Sequence, residues 1–248
     1  MSGHSKWATI KRKKAATDAA RGKQFTKAIK EITLAARHGG DPAGNPRLRT
    51  AIAAAKAVNM PAANIDRAIK KGTGELDGVR YEEAHYEGYA PGGVAVLVEV
   101  ATDNKNRTSG DIRHIFTRYG GSLAEAGSVA YLFKPRGLIV IEKSAAVEDV
   151  VLECALEAGA DDVNTEGDVY EVLTPLADFD AVRDALAAAG IALQSAETTK
   201  IAAVEVRIDD SHAGTMLKLI EALEDHDDVQ KVYANYSVSD ELLARLAT

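Results

Sequence analysis

The order of strand-like and helix-like segments after residue 136 constrains the fold of this chain more than any other feature. Residues 138–141 form a short apolar run typical of a buried strand, and residues 147–158 show helical spacing of their apolar side chains. Two strand-like segments, a helix and a last strand follow at 162–166, 169–173, 179–189 and 194–200. This βαββαβ order predicts a ferredoxin-like α+β domain.

Segments on both sides of this unit predict a second α+β domain. A strand, a helix and a strand are expected at 94–100, 107–119 and 128–133, and again at 203–208, 213–223 and 229–236. The second set is too small to bury a core by itself, so we expect it to pack with the first. The sequence therefore predicts a discontinuous middle domain, residues 79–135 and 203–240, with the ferredoxin-like domain, residues 136–202, inserted into it.

The first 74 residues differ from both, because they lack strand-like alternation and are rich in Ala, Lys and Arg, which favour helices. Three helices are expected. Asn45-Pro46 is typical of an N-cap followed by proline at the first helical position, and Gly72 is interpreted as the left-handed stop of the third helix. The glycine-rich, acidic residues 72–78 then indicate a linker. The fold class is thus a helical head followed by two α+β domains.

Charge is segregated between these parts. The whole chain carries a formal charge of −7, yet residues 1–72 contain 16 Lys and Arg against 4 Asp and Glu, giving +12, and the remainder is −19. A basic head on an acidic body favours a polyanionic partner that binds at one end. The candidate nucleic-acid-binding residues are Lys6, Trp7, Lys11, Arg12, Lys13, Lys14, Arg21, Lys23, Lys27, Lys30, Arg47, Arg49, Arg67, Lys70 and Lys71. Trp7 either stacks on a base or packs the tail against the head.

Six motifs resemble those of the YebC/PmpR family and together span most of the chain. They are MSGHSKW at 1–7, NPRLRTAI at 45–52, NMPAANIDRAIKK at 59–71, YEGYAPGG at 86–93, TDNKNRT at 102–108 and DDVQKVY at 227–233. The resemblance implies three domains around a cleft and a role in gene expression, either as a DNA-binding transcriptional regulator or as a translation factor on ribosomal RNA that relieves stalling on proline runs. Either DNA or the ribosome is therefore the expected partner.

The TDNKNRT motif is a second candidate site. Asp, Asn and Thr between a strand and a helix are typical of turns and caps, and capping is the first interpretation. The alternative is that Asp103, Asn104, Asn106 and Arg107 line an interdomain cleft, with Arg107 contacting a polyanion or a nucleotide-type substrate of an enzyme.

Known catalytic and phosphate-binding motifs are missing from the sequence, so we expect a protein that is not an enzyme and has no cofactor, metal or obligate small-molecule ligand. The single cysteine, Cys154, is expected to pack in a core, and the acidic run at residues 221–228 is interpreted as a solvated helix end. Neither a membrane span nor a signal peptide is indicated, which predicts a cytoplasmic protein.

Overall fold

A computed structural model describes residues 18–238 of the chain, with their side chains from residue 22 onward. Two compact units result, one of residues 132–204 and one of residues 18–131 with 205–238. In chain order the elements are α1 (Asp18–Ala36), α2 (Pro46–Ala57), α3 (Ala62–Thr73), β1 (Glu82–Ala90), β2 (Val94–Thr102), α4 (Lys105–Arg118), β3 (Ser122–Leu123), β4 (Phe133–Glu142), α5 (Glu148–Glu157), β5 (Asp162–Asn164), β6 (Val169–Thr174), α6 (Phe179–Ala188), β7 (Ser195–Ala202), β8 (Val206–Arg207), α7 (Asp210–Glu224), β9 (Val229–Ala234) and β10 (Tyr236–Ser237).

The head consists of α1, α2 and α3 around a small apolar core that includes Ile32, Leu48 and Ile65. Asn45 positions α2: its Oδ1 accepts the N–H of Leu48 at 3.0 Å, while its Nδ2 donates to the carbonyls of Ala35 and Gly39, each at 2.8 Å. The side chain is buried, so these bonds satisfy an amide that would otherwise be costly to enclose. The predicted cap followed by proline is therefore confirmed.

The expected left-handed stop at Gly72 is wrong. Helix α3 continues to Thr73, and Gly74 is the residue with left-handed geometry, at φ 84°. Gly72 instead lies where α3 crosses α1, because a Cβ at this position would meet the backbone oxygen of Thr33 and, at 2.6 Å, the Cβ of Ala36. Close helix approach, and not backbone conformation, is the reason for glycine here.

The middle domain is an antiparallel sheet in the order β3-β1-β2-β9, with α4 and α7 packed over a shared core. Val96 and Val98 of β2 meet Ile112 and Phe116 of α4 in this core. Strand β1 was not predicted from the sequence. The strand expected at residues 128–133 is wrong before Phe133, since a 3₁₀ turn occupies Ala130–Leu132.

The unit at residues 132–204 has the ferredoxin-like topology that the sequence predicts. Its antiparallel sheet runs β5-β6-β4-β7, and α5 and α6 cover a core that contains Ile139, Val172 and Leu186. Cys154 packs against this core, as expected. Strand β4 begins at Phe133, a few residues before the expected domain start at 136. Across residues 18–238, no helix is long and apolar enough to cross a bilayer.

Candidate nucleic-acid interface

Three of the predicted cationic residues lie on one face of α1 and contact the middle domain. The ammonium of Lys23 donates to the carbonyl of Asp225 at 3.3 Å, that of Lys27 to Glu224 at 2.8 Å and that of Lys30 to Asp227 at 2.9 Å. These carbonyls belong to the end of α7 and the turn after it, where the helix dipole favours positive charge. The lysine stripe thus binds the head to α7.

Lys30 is also buried in an ion pair with Asp228. Its Nζ lies 2.7 Å from Asp228 Oδ1 and 3.2 Å from the carbonyl of Ala101, and both paired side chains are only 7% exposed. With the bond to Asp227, three acceptors surround the ammonium, and the Tyr81 ring lies 5.3 Å away. Placing Lys30 on a phosphate-binding surface is therefore wrong, because its charge is enclosed within the protein.

The second carboxylate oxygen of Asp228 accepts hydrogen bonds from residues of the TDNKNRT motif. Its Oδ2 accepts from Thr108 Oγ1 at 2.7 Å, Arg107 at 2.8 Å and Thr102 Oγ1 at 3.1 Å. Burial raises the pKa of Asp228, but the hydrogen bonds from Lys30, Arg107 and Thr108 outweigh it and hold the pKa well below the ordinary value. Asp228 is consequently ionised at neutral pH and joins α1, β2 and α4.

Capping, the first interpretation of the TDNKNRT motif, is confirmed. Asn104 Oδ1 accepts the N–H of Arg107 at 3.1 Å and caps α4. Arg107 pairs with Asp103 and Asp228, both at 2.8 Å, and bonds to both carboxylates raise its pKa. Asp103, Asn104 and Asn106 are exposed. Their placement in an interdomain cleft stays a prediction.

Arg47 likewise forms ion pairs within the protein. Its guanidinium lies 2.8 Å from Glu31 of α1 and 2.6 Å from Glu83 of β1, and these hydrogen bonds raise its pKa. It therefore links α2 to α1 and to the middle domain. Arg49 is exposed and donates to the carbonyl of Pro42 at 2.9 Å.

Arg67, Lys70 and Lys71 remain as an outward-facing group, which we call the α3 cation face. Their spacing of three and four residues puts them on one side of α3, and all three are exposed. None of their side chains forms an ion pair or hydrogen bond with another residue between 22 and 238. Two of them lie in the last helical turn, where the dipole stabilises positive charge. Lys56, in the last turn of α2, is exposed as well.

The remaining candidate binding residues lie outside the part of the chain whose side chains are described. Lys6, Trp7, Lys11, Arg12, Lys13 and Lys14 precede residue 18, and the side chain of Arg21 is not described. Their role in nucleic-acid binding stays a prediction.

Sequence reasoning missed Asp228, which it included among solvated acids. Nothing in the run from Glu221 to Asp228 distinguishes this carboxylate from its exposed neighbour Asp227. The only available signal was its position directly before β9. Within the described residues, no group of three or more His, Cys, Asp and Glu side chains is arranged to hold a metal ion.

A helical head joined to an α+β domain with a ferredoxin-like insertion defines the class of this molecule. Family models match both parts: the TACO1/YebC N-terminal domain over residues 5–75, and the TACO1/YebC second and third domain over residues 81–236. The chain belongs to the TACO1/YebC family.

Individual relatives agree over nearly the full length. A probable transcriptional regulatory protein of Geobacter sulfurreducens is 59% identical over 99% of this chain and 100% of its own. One from Desulforapulum autotrophicum is 57% identical over 98% of both chains. The crystal structure of a conserved hypothetical protein from Aquifex aeolicus matches with a TM-score of 0.83 and 47% identity, covering 91% of this chain and 94% of that one.

Proposed function

We propose that this protein is a cytoplasmic, non-catalytic regulator of gene expression that binds nucleic acid through its head. The observation that carries the proposal is the α3 cation face, three exposed cations on one helix face without partners among residues 22–238. Such a face suits the phosphate backbone, to which Lys and Arg contribute most of the affinity. The names of the relatives, probable transcriptional regulatory proteins, support the regulatory role.

The acidic remainder of the chain favours one-ended docking. Residues 73–248 carry a formal charge of −19, which repels a polyanion, whereas residues 1–72 carry +12. Lys6 and the KRKK run at residues 11–14 contribute to the positive charge of residues 1–72. Arg107 and its neighbours give the enzymatic alternative no support, since Asp228, Asp103 and the α4 cap account for their polar contacts.

Charge reversal tests the proposal. The triple variant Arg67→Glu, Lys70→Glu, Lys71→Glu is compared with a control that reverses three cations of the body, Arg118→Glu, Lys143→Glu, Lys218→Glu. In filter binding at 50 mM salt, we expect the α3 variant to lose at least about tenfold in affinity, because three phosphate contacts are lost and repulsion replaces them. The control is expected to bind within about twofold of the wild type, as body cations contact no phosphate.

Duplex DNA and ribosomal RNA are titrated in parallel. The described head helices carry no clear Asn, Gln or Arg set for reading base edges, which favours backbone and shape recognition. Equal losses in the two triple variants, or none in either, would contradict docking through the head. A loss confined to one polymer identifies that polymer as the one the head binds.

A further inference from the structure

Strand β1 has an open edge along its first half. Its other neighbour, β3, covers only Gly88 and Tyr89, which pair with Leu123 and Ser122. The N–H of Ala124 adds one bond to the carbonyl of Glu87 at 2.8 Å. From Glu82 to Tyr86, β1 pairs with β2 alone.

The alternating direction of the backbone groups along β1 identifies which of them are free. In an antiparallel strand, the N–H and C=O of one residue point to the same side, and the side alternates along the chain. Because the Glu87 carbonyl points toward β3, those of His85 and Glu83 point that way too. Both residues are exposed, and no described residue bonds to their backbone groups on this side. The edge therefore offers a ladder of two residues.

A groove of about 620 Å³ opens at one end of this free edge, beside His85 and Tyr86. Its wall on the other side is the flank of α4, where Ser109, Arg113 and Thr117 follow one another at four-residue spacing. The side chain of Arg113 is exposed and forms no ion pair with any side chain between 22 and 238. Glu125 lines the groove as well, on the loop that follows β3.

The loop that follows the groove-lining residues 124–126 is built around Glu87. This buried carboxylate accepts the N–H groups of Gly127 at 2.7 Å, Val129 at 2.6 Å and Ala130 at 2.8 Å. Burial raises the pKa of Glu87, but the three backbone donors outweigh it and lower the pKa. The Glu87 carboxylate therefore fixes residues 127–130, and none of them forms a backbone hydrogen bond with Glu83 or His85.

We propose that this edge binds an extended, acidic peptide segment of a partner protein, which continues the path of β3 along β1. Main-chain bonds to His85 and Glu83 give affinity, as in other cases of strand addition. Side chains of an added strand that point toward α4 enter the groove beside Tyr86. An Asp or Glu there meets the Arg113 guanidinium and the hydroxyls of Ser109 and Thr117.

A second copy of this chain fits the same edge poorly. Antiparallel pairing of two β1 strands about His85 requires Glu83 of each strand to pair with Glu87 of the other. The edge at Glu87 is already occupied, because its carbonyl accepts the N–H of Ala124 and β3 pairs with the next two residues. A nucleic acid offers no regular ladder of N–H and C=O groups to the edge. An extended peptide therefore matches the backbone groups of the edge, and one acidic side chain on its α4 side matches Arg113, whereas Glu125 disfavours further acidic side chains beside it.

The test uses a fluorescent peptide with the core Val-Thr-Glu-Thr-Val, a second with Lys in place of Glu, and a third N-methylated at alternate residues. Fluorescence anisotropy is measured on the full chain and on two matched pairs of variants. His85→Pro removes the outward N–H but leaves the β2 ladder intact, whereas His85→Thr keeps that N–H. Arg113→Glu reverses the charge in the groove, whereas Arg118→Glu does so outside it on the same helix.

We expect the wild type, His85→Thr and Arg118→Glu to bind the acidic peptide alike. His85→Pro and Arg113→Glu should bind it at least about tenfold more weakly, the factor for losing one charge-assisted or buried hydrogen bond. The lysine and N-methylated peptides should bind weakly to the wild type, so the result does not depend on His85→Pro folding. Equal binding of all three peptides, displacement by an oligonucleotide, or self-association that protects the His85 amide would overturn the proposal.

Discussion

Asp228 is the residue on which the junction of head and middle domain depends. Its two oxygens receive Lys30 from α1, Arg107 and Thr108 from α4, and Thr102 from β2. Replacing both members of a buried ion pair with apolar side chains of the same shape changes the free energy of unfolding little. Removing only one member leaves the other charge buried and uncompensated, which is strongly destabilising. The side chain therefore matters most when it is changed alone.

Asp228→Asn should destabilise the protein by about 3–5 kcal/mol, because the nearly isosteric amide leaves the Lys30 ammonium without its counter-charge. Asp225→Asn is the matched control three residues earlier. Its carboxylate is 63% exposed and pairs with an exposed Lys23, so its loss should change the free energy of unfolding by less than about 1 kcal/mol. Urea unfolding at pH 7 measures both, and equal effects would contradict the assigned junction.

The same variant has a defined pH dependence. The pKa of Asp228 lies below its ordinary value in the folded protein, so the stability it contributes is present above about pH 4 and decreases as pH falls further toward the folded pKa. The difference in unfolding free energy between wild type and Asp228→Asn should narrow between pH 6 and pH 3. A difference that widens over this range would show that the pKa of Asp228 is raised and would contradict the prediction.

At the scale of elements, the head depends on how closely α1 and α3 cross. Gly72→Ala should destabilise the protein by about 1–3 kcal/mol, since the added methyl group overlaps Thr33 and Ala36 of α1. Gly110→Ala, at an exposed position of α4, is the control, because nothing lies within 4 Å of its added Cβ and alanine favours the helix by about 0.5–1 kcal/mol. Thermal unfolding should therefore shift in opposite directions, and two shifts of the same sign would contradict this packing.

Elements with strong local signals were predictable from the sequence. Asn45-Pro46 located the start of α2, and the apolar runs located β2 and the central strands of the ferredoxin-like unit. Strand β1 escaped because Glu82, Glu83 and His85 make it look polar, although Ala84, Tyr86 and Ala90 alternate toward the core. The strand prediction at 128–133 was wrong before Phe133, because Val129 is buried without belonging to a strand.

At the scale of the whole molecule, the basic head divides into two sets of cations. Lys23, Lys27 and Lys30 face α7 and the buried Asp228, whereas Arg67, Lys70 and Lys71 face away from the core. Composition predicted the excess of positive charge but not this division, because both sets recur at helical spacing. Only the contacts between elements distant in sequence separate cations that hold the fold together from cations left for a partner.

The salt dependence of binding tests most directly whether the outward set contacts nucleic acid. Affinity of the wild type and of the two triple variants is measured from 50 to 200 mM salt on one duplex. The slope of log affinity against log salt should be shallower by about 2–3 in Arg67→Glu, Lys70→Glu, Lys71→Glu, since three phosphate contacts release three fewer counterions. The body control should keep the wild-type slope. An unchanged slope in the α3 variant, or an equal change in the control, would contradict binding through the head.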